Sequence, residues 1–210
     1  MAMKIGVIGA GLMGHGIALV LARAGHRVAV HDPVPEARAA LPGRVAESLA
    51  AMGVGGDEAA RTLARISVAD TLAGAVGDAD VVFEAAPEKL ALKRALFAEI
   101  EAAAPASAIL ASNTSVMPIT SIMQNLTGRH RALGTHWWNP PHLIPLVEVV
   151  STEWTDTASV DAMMALLAGA GKTPVRVAKD VPGFIGNRLQ HALWREAISL
   201  VERGICDAEA

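Results

Sequence analysis

The chain has 210 residues, enough for one large domain or for one domain and part of another. Hydrophobic residues make up 52% of it and aromatics only 3%, so the core must be built from Ala, Val, Leu and Ile, as suits a parallel sheet covered by helices. A formal charge of −3 without a lysine cluster argues against a nucleic-acid-binding surface. The single Cys206 excludes an internal disulfide and a cysteine-based zinc site, so no metal is expected and a reducing cytoplasm is the expected compartment.

In chain order, Ile5, Val7 and Ile8 predict a short buried strand. Gly9, Gly11 and Gly14 follow at the GxGxxG spacing, a helix opens directly after them, and Asp32 ends a second strand over 27–31. This order predicts a dinucleotide site. Gly9 permits the tight turn, Gly11 lets backbone amides approach a pyrophosphate, and Gly14 lets helix and strand pack closely. Leu12 and Met13 belong to the same cofactor-binding set. The helix N-terminus offers orphan N–H groups to the phosphates. Asp32 can accept both hydroxyls of an adenosine ribose and repels a 2′-phosphate, which favours NAD over NADP. A membrane span is the competing reading, because 5–22 carries no charge. Five glycines and His15 interrupt that run, each glycine costing about 1 kcal/mol in a helix interior. No basic n-region followed by a cleavage motif is present, so an ordinary secretory signal is excluded too.

Helices are predicted over 35–52 and 57–64 around the loop Gly53-Val-Gly-Gly56, then a buried strand over 80–85 and a helix over 89–104. A strand over 108–111 leads into the turn Ser112-Asn-Thr-Ser115, a short helix over 119–126 and a strand over 131–135. Strands over 146–150 and 175–178 flank a helix over 159–168. Alternating strands and helices imply a Rossmann-type, doubly wound, mostly parallel α/β sheet over residues 1–181. Pro182-Gly183 breaks the chain, and 184–203 is one long amphipathic helix with only 1–180 to pack on. Residues 182–210 read as the start of an all-α C-terminal domain that is otherwise largely absent. There are no internal repeats.

The best candidate for catalysis is His136, in Gly134-Thr-His-Trp-Trp-Asn139-Pro-Pro, because its strand would deliver it to the carboxyl edge of the sheet. Glu148 lies in the next strand among apolar neighbours. A buried carboxylate needs a partner, and an imidazole suits it. The residues alone leave two readings: an acid/base pair, or a core histidine beside a glutamate that pairs with an arginine. Ser112–Ser115 is equally either a ligand-binding loop or a plain turn capping the next helix. Glu84 and Glu88 flank Pro87 with Lys93 one turn into the following helix, which on its own reads as a solvated helix start.

Taken together these residues resemble the short-chain L-3-hydroxyacyl-CoA dehydrogenase family of fatty acid metabolism. The resemblance runs through Gly9-Ala-Gly-Leu-Met-Gly-His-Gly16, Asp32, Glu84-Ala-Ala-Pro-Glu88, Ser112–Ser115, His136-Trp-Trp-Asn139-Pro, Glu148 and Pro182-Gly-Phe-Ile-Gly-Asn-Arg188. It implies an NAD-dependent oxidoreductase in which His136 removes the hydroxyl proton as hydride passes to the nicotinamide, with Glu148 orienting it. It further implies that Ser115 and Asn187 hydrogen-bond the reacting oxygen and that Asn139 contacts Ser115 or the nicotinamide end. Asp32, Glu88 and Lys93 fall on NAD-contacting positions, and a homodimer through the C-terminal helical region is expected. Three departures bear on the substrate. Trp137 and Trp138 stand where the family usually has two phenylalanines. Pro141-His-Leu-Ile-Pro145 is closer to relatives acting on gulonate, carnitine or pyridoxine-breakdown compounds. The arm 50–57 carries no lysine for CoA phosphates, although Ser48 matches a CoA-contacting serine. The substrate is therefore either an acyl-CoA or a small free hydroxy compound. A non-catalytic, crystallin-like nucleotide binder is the alternative outside enzymes.

Overall fold

The computed structural model describes residues 2–209. Eight strands form one sheet: β1 (Lys4–Ile8), β2 (Arg27–His31), β3 (Ile66–Val68), β4 (Val81–Glu84), β5 (Ile109–Ser112), β6 (Ala132–Trp137), β7 (Leu146–Val150) and β8 (Thr173–Val177). Their order is β3-β2-β1-β4-β5-β6-β7-β8, and every neighbouring pair is parallel except β6 and β7. The chain winds outward from β1 to β3 and then returns to lay β4 against the other side of β1. That reversal opens a crevice at the carboxyl ends of β1 and β4, where open α/β sheets take their ligands.

Helices α1 (Leu12–Arg23), α2 (Pro35–Ala51) and α7 (Thr157–Gly169) cover one face, and α4 (Leu72–Val76), α5 (Leu90–Ala103) and α6 (Ile119–Met123) cover the other. α3 (Gly56–Leu63) follows α2 and packs beside α1. Both faces being covered, the central strands β4, β5 and β6 are buried in unbroken runs. In β4, Val81 and Phe83 enter the core under α1 while Val82 enters the core under α5. Each such fully buried side chain contributes about 1.5–3 kcal/mol relative to exposure.

The sequence reading did not contain β3 and α4. They have three and five residues, too short for a period of two or 3.6 to repeat. One residue does register α4: a Cβ on Gly6 would lie 2.8 Å from the Ala75 carbonyl oxygen, so only glycine in β1 lets that helix approach.

The long helix starts at Gly186, two residues later than the spacing predicts. α8 (Gly186–Glu202) contains no buried residue, and Leu189, Leu193, Trp194 and Ile198 are all more than half exposed. It therefore does not lie on residues 1–180; only its first turn meets the sheet. Amphipathic spacing specifies that an apolar stripe exists but not what covers it. No helix among the described residues is long and apolar enough to cross a membrane.

Candidate active site

The glycine loop between β1 and α1 is shaped as the dinucleotide reading requires. Gly9 has φ +112°, a left-handed backbone that L side chains rarely adopt. A Cβ on Gly14 would lie 1.8 Å from the Gly9 carbonyl oxygen, whereas one on Gly11 would meet nothing within 4 Å. Helix and loop thus close tightly behind the turn and leave open space in front of it. The first turn of α1 has no capping side chain and no acid, so its N–H groups are left for an anion. Leu12 is exposed and Met13 half-buried at this helix start. Asp32 sits beside the loop, its two carboxylate oxygens accepting from Ala10 N at 2.8 Å and Val34 N at 2.9 Å. These features fit NAD: the α1 terminus would hold its pyrophosphate and Asp32 its adenosine ribose. Two arginines outside the motif also reach this end: Arg38 donates to the Asp32 carbonyl at 2.6 Å and Arg44 to that of Ala10 at 2.9 Å. Ser48 of α2 bonds His15 Nε2 at 3.2 Å.

The acid/base candidates meet. β6 outruns β5, the last pair being Ser112 with Gly134, so His136 stands two residues, about 6.6 Å, beyond that level. The antiparallel register sets Glu148 directly opposite His136, and His136 Nδ1 lies 2.7 Å from Glu148 Oε2. The other carboxylate oxygen accepts from Ile185 N at 2.8 Å and Gly186 N at 3.0 Å, at the entrance to α8. Burial pushes the Glu148 carboxyl up, but the bonds from His136, Gly186 and Ile185 outweigh it and hold it below the ordinary carboxylate range. An ionised acceptor puts the imidazole proton on Nδ1. In the neutral imidazole Nε2 is then the bare nitrogen, and it has no hydrogen-bond partner among the described residues. Of the two readings the sequence left open, the arginine-paired glutamate is excluded.

The remaining residues form a connected network. Glu88 accepts from Ser115 N at 2.5 Å and from the Thr114 hydroxyl at 3.0 Å, so its carboxylate holds the turn after β5. Lys93 is not on a solvated helix start: it and Glu84 are fully buried, with Nζ 2.6 Å from Glu84 Oε1, 3.1 Å from the Ala86 carbonyl and 3.6 Å from Glu88. Ser112 donates to the second Glu84 oxygen at 2.6 Å. Asn187 Nδ2 donates to the Ser115 carbonyl at 2.7 Å, while the Ser115 hydroxyl is unspent among the described residues. Asn139 is exposed and makes no hydrogen bond to Ser115.

Three contacts of the site were not anticipated from the sequence. Phe184 is buried against the His136 ring, 5.7 Å between centroids, with φ 50°. A left-handed backbone on a bulky aromatic costs about 1–3 kcal/mol and is held only by its surroundings. Asp180 accepts from Ile119 N and Thr120 N at 2.9 and 2.7 Å, tying the segment before α8 to α6. Buried Asn113 accepts from Trp137 N at 3.0 Å, which locks the turn after β5 to the end of β6. The chain break that the sequence places at Pro182-Gly183 opens this junction, with Gly183 at φ 74°.

The chain is 41% identical over 206 residues to an L-carnitine dehydrogenase of Nocardiopsis dassonvillei, covering 98% of this chain and 62% of that protein. It is 41% identical over 209 residues to the 5-formyl-3-hydroxy-2-methylpyridine 4-carboxylate 5-dehydrogenase of Mesorhizobium japonicum, covering 98% and 67%. The solved 3-hydroxybutyryl-CoA dehydrogenase of Escherichia coli superposes with a TM-score of 0.91 at 34% identity, covering 98% of this chain and 44% of that one. The chain thus spans roughly two thirds or less of each relative's length. Residues 4–181 match the family described as 3-hydroxyacyl-CoA dehydrogenase, NAD binding domain, and the chain belongs to that family.

Proposed function

We propose that this chain carries the NAD-binding and proton-transferring part of a dehydrogenase that interconverts an L-3-hydroxyacyl-CoA, or a closely related 3-hydroxy compound, and its 3-keto product. The observation that carries the reading is the 2.7 Å contact between His136 Nδ1 and an ionised Glu148, which leaves Nε2 bare at the carboxyl edge of the sheet. NAD, held at Gly9–Gly14 and Asp32, supplies the hydride acceptor. His136 Nε2 takes the hydroxyl proton in oxidation and returns it in reduction. Glu148 keeps the imidazole oriented and stabilises it when charged. The free Ser115 hydroxyl and the second Nδ2 hydrogen of Asn187 are the donors for the reacting oxygen. Lys93 acts at one remove, through Glu84 and Glu88.

A second reading moves the substrate to a small free hydroxy acid or hydroxymethyl compound. The arm 50–57 has no lysine, and each charged hydrogen bond missing from a CoA phosphate weakens binding by about 1–3 kcal/mol. The carnitine and pyridine-carboxylate dehydrogenases among the relatives support the same direction. A non-catalytic nucleotide binder is disfavoured by the intact His136–Glu148 pair. The same reading treats residues 182–210 as the opening of a helical domain whose apolar α8 face pairs with a second copy; a monodisperse monomer in light scattering refutes that pairing. The lone Cys206 supports a reducing, cytoplasmic setting.

Turnover of acetoacetyl-CoA and of free 3-hydroxy acids, followed at the NADH absorbance, separates the substrate classes. His136→Ala is expected to lower turnover by about 100-fold or more with NADH affinity nearly unchanged. Intact turnover in that variant removes His136 from the mechanism.

A further inference from the structure

Trp138 lies on the catalytic imidazole, its ring centroid 5.0 Å from that of His136 at 45°. Its other neighbour is Gly186, the first residue of α8. A Cβ there would sit 2.3 Å from Cζ2 of Trp138, 3.2 Å from Cη2 and 3.3 Å from Glu148 Oε2. Gly186 is not among the glycines with positive φ, so backbone conformation does not demand it. Glycine in a helix costs up to about 1 kcal/mol relative to alanine. Space for the indole is what the structure gains in return. Trp138 itself carries a cost, because its Nε1 is enclosed without a hydrogen-bond partner among the described residues, and a buried donor left unpaired costs about 1–3 kcal/mol. A phenyl ring would avoid that cost, but it lacks the outer ring edge that reaches Gly186.

We infer that Trp138 and Gly186 are a matched pair that seats the start of α8 on Glu148, and that Trp138 is thereby a positioning residue for the His136–Glu148 couple. The close fit brings the Ile185 and Gly186 N–H groups to Glu148 Oε1, fixing the carboxylate so that Oε2 faces His136 Nδ1. A side chain at position 186 must push either the indole or the carboxylate, and both moves loosen the imidazole. With a phenyl at 138 the same side chain has room. The inference deepens the proposed function and rests on its reading of His136 as the proton acceptor.

The test compares the parent chain with Gly186→Ala, Trp138→Phe and the double variant. The first readout is the downfield proton resonance of the His136 Nδ1–H shared with Glu148; the second is the split between kcat and KM on the best substrate of the panel. Gly186→Ala is expected to lose the resonance and to lower kcat by about 10- to 100-fold, with KM and NADH affinity little changed. Trp138→Phe alone opens a gap over Gly186 and is expected to weaken the resonance and lower kcat several-fold, parent-like behaviour overturning the inference; in the double variant the added methyl fills that gap and should restore the resonance and most of kcat. Parent-like behaviour of Gly186→Ala overturns the inference, as does a double variant no better than Gly186→Ala. Should Gly186→Ala not fold, the double variant decides alone: folded with the resonance present supports the pair, and unfolded overturns it. If the parent turns over no substrate, the proposed function fails, and the resonance comparison still decides the inference.

Discussion

Replacing Lys93 by methionine keeps the length of the side chain and removes its charge. The ammonium is 2.6 Å from Glu84 in a pair whose side chains are 1% and 0% exposed. Glu84 would keep the Ala86 N–H at 2.7 Å and the Ser112 hydroxyl at 2.6 Å but would lose its counter-ion. Removing one member of a buried pair costs about 3–5 kcal/mol, because the other charge is left uncompensated in a poorly solvated place. Unfolding entropy of about 2.1 cal/mol/K per residue gives about 0.44 kcal/mol/K for 210 residues, so Tm should fall by about 7–11 °C. Thermal unfolding followed by circular dichroism at neutral pH reads this directly. Adding Glu84→Gln should recover most of the loss, since a neutral amide needs no counter-ion. A single variant within about 2 °C of the parent, or a double variant no more stable than the single, refutes the reasoning.

Asp32→Ala is expected to weaken NADH binding and to relax discrimination against NADPH, read by fluorescence titration; unchanged selectivity shows that the ribose is recognised elsewhere. Stability should also fall on acidification. Burial above all holds the His26 imidazole below its ordinary value of 6.5, and its Nδ1 accepts from Met3 N. Burial, then His15 and Lys172, lower His142 likewise. Both groups bind fewer protons folded than unfolded, so the stability they allow is complete above pH 6.5 and is lost as pH drops from there through their folded values. Urea unfolding between about pH 8 and pH 5 measures this, and a fall of the same size in the His26→Gln, His142→Gln double variant contradicts the assignment.

What the sequence could and could not convey follows from the range of the interactions. The glycine loop is local: strand, turn and helix occupy consecutive residues, so spacing alone predicts their geometry. His136 and Glu148 are twelve residues apart on neighbouring strands, and their contact depends on register, which a hydrophobic pattern suggests without naming the partner. Glu84 and Lys93 read as surface charges because their burial depends on how 85–89 folds back over β4, and composition carries no trace of that. The Asn187–Ser115 bond spans 72 residues and ends on a main-chain oxygen, which no side-chain pattern encodes. What covers α8 is illegible for a different reason: an apolar stripe describes a surface, not its occupant.

The arrangement around Asp32 bears on how fast and how tightly a coenzyme can dock. Because Ala10 and Val34 already anchor both carboxylate oxygens, the torsions of that side chain are frozen before any ribose arrives. Ordering a mobile side chain on binding costs about 0.5–1.5 kcal/mol, up to roughly tenfold in Kd. Here folding has met that expense in advance, and in the proposed role of Asp32 the ribose hydroxyls would find an acceptor that has no rotamers left to search.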